Sequence, residues 1–143
     1  MKQISTSIEI DAPAMAVWSA LADLEGYPAW NPFIREASGR LAIGNRLTLR
    51  MFPVQGRPMT FRPTVLAAIP GSELRWIGRL AVHGIFDGEH SFVLTSTASG
   101  ATRMVQAEMF AGLLVPFAGA LIERTRTDFQ ALNQALKRYV ERG

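Results

Sequence analysis

The sequence predicts an α+β domain in which a sharply curved, seven-stranded antiparallel sheet wraps one long C-terminal helix, with two short helices after the first strand. Three observations carry this expectation. The chain opens on a run that alternates apolar and polar residues, turn-forming residues then recur about once every dozen positions, and an apolar stripe of helical period closes the chain.

Residues 3–10, Gln-Ile-Ser-Thr-Ser-Ile-Glu-Ile, alternate as a half-buried strand does. Asp11-Ala12-Pro13 ends that strand, with Asp11 placed to cap a helix and Pro13 suited to its first turn. Val17, Trp18, Leu21 and Leu24 follow at helical spacing, and the helix stops before Gly26. Tyr27-Pro28-Ala29-Trp30-Asn31-Pro32-Phe33 is an aromatic turn whose prolines leave room for at most one short helical turn.

From Ile34 to Phe110 the pattern is strand, broken by turn chemistry at Gly39, Gly44-Asn45, Gln55-Gly56, Pro70-Gly71, His83-Gly84 and Ser99-Gly100. Six strands result. On the third strand of the chain Leu47, Leu49 and Met51 oppose Arg46, Thr48 and Arg50; on the fifth Leu74, Trp76, Gly78 and Leu80 oppose Arg75, Ile77 and Arg79. One face is therefore buried and the other wet. From about Leu113 to Glu141 the chain reads as one helix, with a stripe at Ala118, Ile122, Thr125, Phe129, Leu132, Leu136 and Val140 and a polar side at Glu123, Arg126, Gln130, Lys137 and Arg138. Only the inner face of the sheet is long enough to cover that stripe, so the sheet must curl around it. Curling leaves space at one end, beside the short helices.

A chain of 143 residues is one ordinary domain, and no composition shift or repeat divides 1–143. The hydrophobic fraction of 48% and charged fraction of 19% are globular values. Cysteine is absent, which excludes disulfides, thiolate nucleophiles and the common structural zinc sites. The longest apolar run, Phe110 to Ile122, is 13 residues and contains Pro116, too short to span a membrane. Met1 to Thr6 shows no secretory pattern, so a cytoplasmic location is the expectation. The net charge of +3 rests on arginines scattered from Arg35 to Arg142, and no run interleaves them with aromatics, which argues against nucleic acid. No phosphate-cradling loop and no Gly-x-Ser-x-Gly elbow occurs, so nucleotide hydrolysis and serine esterase chemistry are not expected.

The segments Ile10-Asp11-Ala12-Pro13 with Val17-Trp18, and Tyr27 to Phe33, resemble the N-terminal signature of the START-like superfamily, in particular its SRPBCC polyketide cyclase/dehydrase group. Phe61-Arg62-Pro63-Thr64-Val65, Leu74-Arg75-Trp76, Phe86-Asp87-Gly88-Glu89-His90-Ser91-Phe92 and Phe110-Ala111-Gly112-Leu113-Leu114-Val115-Pro116 look like a bacterial branch of it, so the resemblance runs the length of the chain. It implies the helix-grip fold and a cavity between sheet and terminal helix that receives a largely apolar molecule. It does not choose among lipid carriage, ligand sensing, ring cyclisation and co-chaperone work, all of which that family performs on this scaffold.

The last hairpin carries the one constellation with chemistry. If Ala98-Ser99-Gly100 form a three-residue loop with Gly100 left-handed, Thr97 lies opposite Ala101, and Leu94 meets Met104, Phe92 meets Gln106 and His90 meets Glu108 on the inner face. A two-residue Ser99-Gly100 turn instead sets Val105, Ala107 and Met109 inward and Glu108 outside. The resembling family places its inward positions where Met104, Gln106 and Glu108 stand. In the first register His90 and Glu108 form a general acid/base unit, or else a polar pair that orients one ligand atom, with Gln106 beside them. The two histidines, with no third ligand, do not make a metal site, although His90 and Glu108 could supply two ligands; no metal and no cofactor is expected.

Trp30 and Phe33 are expected over the mouth of the cavity or in simple packing, and Trp76 opposite the long helix beside Gly78, whose missing side chain makes room. Met51, Phe61, Phe92 and Phe110 complete the inward strand positions, and Phe117 and Leu121 are expected to face the open end from the helix, near Gly112 and Gly119. His83 is expected in a solvated turn and Trp18 in the core. Three functions remain: a carrier or sensor of a small hydrophobic molecule (lipid, polyketide-like or aromatic); a cyclase or dehydratase using His90 and Glu108; and a protein or RNA binder engaged through Arg46, Arg50, Arg62, Arg75 and Arg79, with the chain acting as monomer or homodimer.

Overall fold

A computed structural model describes residues 1–79 and 84–143. The expected Leu80 in the fifth strand and His83 in its turn lie outside the described residues. In chain order the elements are β1 (Lys2–Ile10), α1 (Ala14–Ala22), a 3₁₀ segment (Leu24–Ala29), β2 (Ile34–Ser38), β3 (Thr48–Met51), β4 (Met59–Phe61), β5 (Thr64–Ile69), β6 (Glu73–Arg79), β7 (Asp87–Ser96), β8 (Thr102–Ala111), a second 3₁₀ segment (Val115–Phe117) and α2 (Gly119–Arg142).

All strand pairs are antiparallel, in a five-stranded order β1-β8-β7-β6-β5 and a three-stranded order β2-β3-β4. The two parts are stitched where Leu47 N–H donates to the Pro63 carbonyl at 2.8 Å and Val65 N–H to the Asn45 carbonyl at 2.9 Å. The strand expected between Gly56 and Pro70 is thus two strands, and the described residues hold eight rather than seven. Pro63, which has no N–H to give a ladder, stands at the break between β4 and β5.

The C-terminal stripe behaves as its period demands: Ile122, Phe129, Leu132 and Leu136 are fully buried, in one cluster with Ile4, Leu74, Phe92, Leu94 and Met104 from the strands. Burying a side chain of this size contributes roughly 1.5–3 kcal/mol. The helix starts later than expected, however, at Gly119 rather than near Leu113. Pro116 sits inside the intervening 3₁₀ segment, which buries Val115 and turns Phe117 outward to 85% exposure. Asp11 does not cap α1; Pro13 is the cap residue, with no side-chain bond, and the Asp11 N–H instead donates to Glu141 Oε2 at 2.7 Å. That bond ties the start of the chain to the end of α2.

The last hairpin adopts the three-residue loop. Thr97 N–H donates to the Ala101 carbonyl at 2.9 Å, Gly100 has φ +85°, and the ladder pairs Leu94 with Met104, Phe92 with Gln106 and His90 with Glu108. A residue with a side chain is disfavoured at that φ, so Gly100 sets the register of everything that follows.

Candidate functional site

Between the sheet and the first half of α2 lies a cavity of about 140 Å³. The strands supply Met51, Phe61, Trp76, Gly78 and Phe110, the approach to β2 supplies Phe33, and the helix supplies Leu121, Ile122, Thr125 and Asp128. Space exists because Gly78 and Gly88 face each other across β6 and β7, so the sheet has no side chains there to meet the helix. Leu121 stays half exposed at the edge. Gly112, with φ +124°, brings the end of β8 against the Ile85 carbonyl, where any Cβ would collide with backbone, and Leu114 N–H donates to that carbonyl at 3.0 Å. The neighbouring Phe86 ring stacks on Phe110, centroids 5.6 Å apart, and closes one side of the cavity.

His90 and Glu108 also line the cavity. His90 Nδ1 lies 3.0 Å from Glu108 Oε1, and its Nε2 lies 3.0 Å from Gln106 Oε1. The imidazole is 1% exposed, against Trp76, Phe92 and Phe129 with centroids 5.1, 4.8 and 4.8 Å away. The Glu108 side chain is 18% exposed and is the more open member of the pair. Behind the wall the polar chain continues: Gln106 Nε2 donates to the Phe129 carbonyl at 3.2 Å and to Asn133 Oδ1 at 2.7 Å, and Asn133 Nδ2 donates to Thr6 Oγ1 at 2.9 Å. Every buried atom of that chain has a partner, as a polar group in an apolar core requires.

Four residues expected to touch a ligand stand elsewhere. Trp30 stacks on Tyr139, centroids 6.0 Å apart, near the C-terminal end of α2, because the 3₁₀ turn at Leu24–Ala29 carries it away from the open end. Phe117 points to solvent for the reason given above, Phe92 is wholly core, and Gln106 supports His90 from behind.

Of the lining residues that the sequence reading did not assign to the site, Asp128 and Gly88 shape its polar side. Asp128 is 5% exposed, its Oδ1 accepts the Val54 N–H at 2.8 Å, and burial pushes its carboxyl above the usual range while that bond opposes the shift. It stands seven residues after Leu121, so the same helical period used for Leu121 points to it. Gly88 lies two residues before His90 and shares its face of β7; a Cβ there would overlap Glu108 Oε2, so the glycine seats that carboxylate.

On the outer face three of the arginines, Arg46, Arg50 and Arg75, make side-chain bonds within the chain. Arg46 Nη2 donates to the Arg62 carbonyl at 3.0 Å, Arg50 Nη1 to Thr60 Oγ1 at 3.0 Å, and Arg75 donates to Glu73 at 2.7 Å and Glu89 at 2.8 Å. Among the described residues no cluster of three or more His, Asp or Glu could hold a metal ion, and no helix is long and apolar enough to cross a membrane.

A curved sheet gripping one helix, with an aromatic-walled cavity at the helix's N-terminal end, defines a helix-grip domain. The chain belongs to the polyketide cyclase/dehydrase and lipid transport family, whose model matches residues 1–141. Its fold is similar to that of a START superfamily protein from Mycobacterium smegmatis (TM-score 0.78, 22% identity, 98% of this chain and 97% of that one). It is likewise similar to the Zhui aromatase/cyclase from Streptomyces sp. R1128 (TM-score 0.78, 16% identity, 99% of this chain and 94% of that one). In sequence, 58 residues are 40% identical to the oxopyrrolidines biosynthesis cluster protein O of Penicillium oxalicum; the match spans 32% of this chain and 29% of that protein.

Proposed function

We propose that this protein binds and carries a small, largely apolar ring-containing molecule in the cavity between sheet and α2. The observation that carries the reading is the lining: aromatic and aliphatic side chains on most sides, with the His90–Glu108 pair and Asp128 as the inner polar groups. A cavity of about 140 Å³ suits one or two rings better than a long lipid. Native mass spectrometry of freshly purified protein, with displacement of a fluorescent apolar probe, tests it. A bound small molecule and saturable displacement are expected; an empty protein that also ignores the probe would count decisively against the reading.

A second reading, a cyclase or dehydratase, is favoured by the His90–Glu108 contact at the cavity wall and by the aromatase/cyclase among the proteins of similar fold. Here Glu108 and His90 move a proton to or from a substrate atom in the cavity. Glu108→Gln then keeps the fold and loses turnover by roughly a hundredfold or more. Unchanged turnover in that variant removes the role.

A further inference from the structure

We propose that Gln106 and Asn133 hold His90 in its Nε2–H form, so that the His90–Glu108 pair must keep one proton between Nδ1 and Oε1, and Glu108 Oε2 stands as a fixed acceptor that selects ligands bearing a hydrogen-bond donor. The proton assignment stands on the hydrogen bonds alone; the ligand selection rests on the cavity reading above.

The polarity of the chain is set by two backbone carbonyls. Thr6 has one hydroxyl hydrogen, and it goes to the Gln106 carbonyl at 3.1 Å. Thr6 Oγ1 can therefore only accept from Asn133, which must turn Nδ2 toward it. Asn133 Oδ1 then faces Gln106 and can be met only by Gln106 Nε2, the same nitrogen that reaches the Phe129 carbonyl. Turning either amide over would set oxygen against oxygen. What remains for His90 is Gln106 Oε1, an acceptor, so His90 Nε2 carries a hydrogen.

The consequence falls on the other ring nitrogen. A neutral imidazole with its hydrogen on Nε2 presents a lone pair at Nδ1, and an ionised carboxylate presents another 3.0 Å away. Two lone pairs at that separation repel, so a hydrogen lies between them, on the imidazole or on the carboxyl. In either arrangement Oε2 carries none. It has no partner among the described residues and lies over Gly88 at the cavity wall. The other charged groups facing this space are both on α2: Asp128, whose Oδ1 is taken by Val54 N–H, and Arg124 at the exposed edge. With two carboxyl groups inside and the cation outside, a ring hydroxyl or amine is welcomed and a buried carboxylate is not.

With only two histidines in the chain, ring nitrogen spectra of the 15N-labelled protein are readily assigned. Expected is a protonated Nε2 at His90 at neutral pH; His90 with its one hydrogen on Nδ1 overturns the proposal. In Gln106→Met the hydrogen should move to Nδ1, and its staying on Nε2 denies Gln106 the positioning role. If that variant does not fold, Gly88→Ala serves instead: it displaces the Glu108 carboxylate from the opposite side and leaves the Gln106–Asn133 chain untouched. For selectivity the probes are 2-naphthol, naphthalene and 2-naphthoate, titrated by calorimetry. The naphthol should bind about tenfold more tightly than naphthalene, the naphthoate most weakly, and Gly88→Ala should reduce the naphthol preference to about twofold or less. Equal affinities, a preferred naphthoate, or a full preference surviving in Gly88→Ala refutes the acceptor. Binding of none of the three removes the cavity reading and the selectivity with it, while the ring spectra still decide the proton.

Discussion

From Phe129 onward α2 sinks Phe129, Leu132 and Leu136 completely into the core, whereas its first turns leave Leu121 half exposed beside Ile122, Thr125 and Asp128 along a cavity. Both stretches face the same curved sheet. Under the second stretch the strands present Ile4, Phe92, Leu94 and Met104; under the first they present Gly78 opposite Gly88. The open end is therefore made by the strands' missing side chains and only secondarily by the helix. The closed end is packed throughout, whereas at the open end Trp76, Phe110 and Ile122 belong to the core and also wall the cavity.

Three substitutions sharpen or break that contrast. Leu136→Ala should cost about 2–5 kcal/mol in urea unfolding, whereas Leu121→Ala should change stability by about 0.5 kcal/mol or less. Equal losses at the two positions would mean that the cavity end is as tightly packed as the core. Next in size is Gly78→Val. A Cβ at Gly78 would sit 3.8 Å from Phe61 and Pro63, an ordinary contact, so the strand should accept valine while its methyl groups take up cavity space. Probe affinity should fall by roughly tenfold with stability within about 1 kcal/mol of the parent. Unaltered probe binding would place the ligand somewhere else.

The smallest effect concerns Asp128. Its folded-state carboxyl is raised by burial, so the folded protein holds that proton more tightly than the unfolded chain does. Stability linked to this group is thus full below the ordinary aspartate value of about 3.9 and is lost as pH rises through the raised folded value. Asp128→Asn keeps an oxygen for the Val54 N–H and removes the buried charge, so it should be more stable than the parent at pH 7 and equal to it near pH 3. A variant less stable at pH 7 would show that the carboxylate has a partner that offsets its burial.

Much of the site was legible before any coordinates, and for local reasons. The pairing of His90 with Glu108 follows from loop length and one left-handed glycine, and the helical stripe follows from spacing alone. Trp30, left open between the cavity mouth and simple packing, and Phe117 stand where that logic has no purchase. Trp30 directly follows one 3₁₀ segment and Phe117 ends the other, each segment containing a proline, so the phase of the preceding element is lost and a ring's direction depends on what lies across from it. Asp128 and Gly88 were within reach of the same periodicities that found Leu121 and His90, but a charged residue on an apolar face and a second strand glycine look incidental until they converge.

Alternation, turn residues and helical period are set by backbone sterics over a few neighbours, and so the sequence by itself determined a curled sheet, a gripped helix and the inward side of most strands, with two registers left open for the last hairpin. The polarity of the Thr6–Asn133–Gln106–His90 chain joins residues up to 127 positions apart. It depends on which carbonyl each amide meets, and that depends on the summed registers of β1, β7, β8 and α2. Only the tertiary structure could decide that a proton belongs between His90 and Glu108, because no local pattern records the direction of a hydrogen bond that closes across the whole domain.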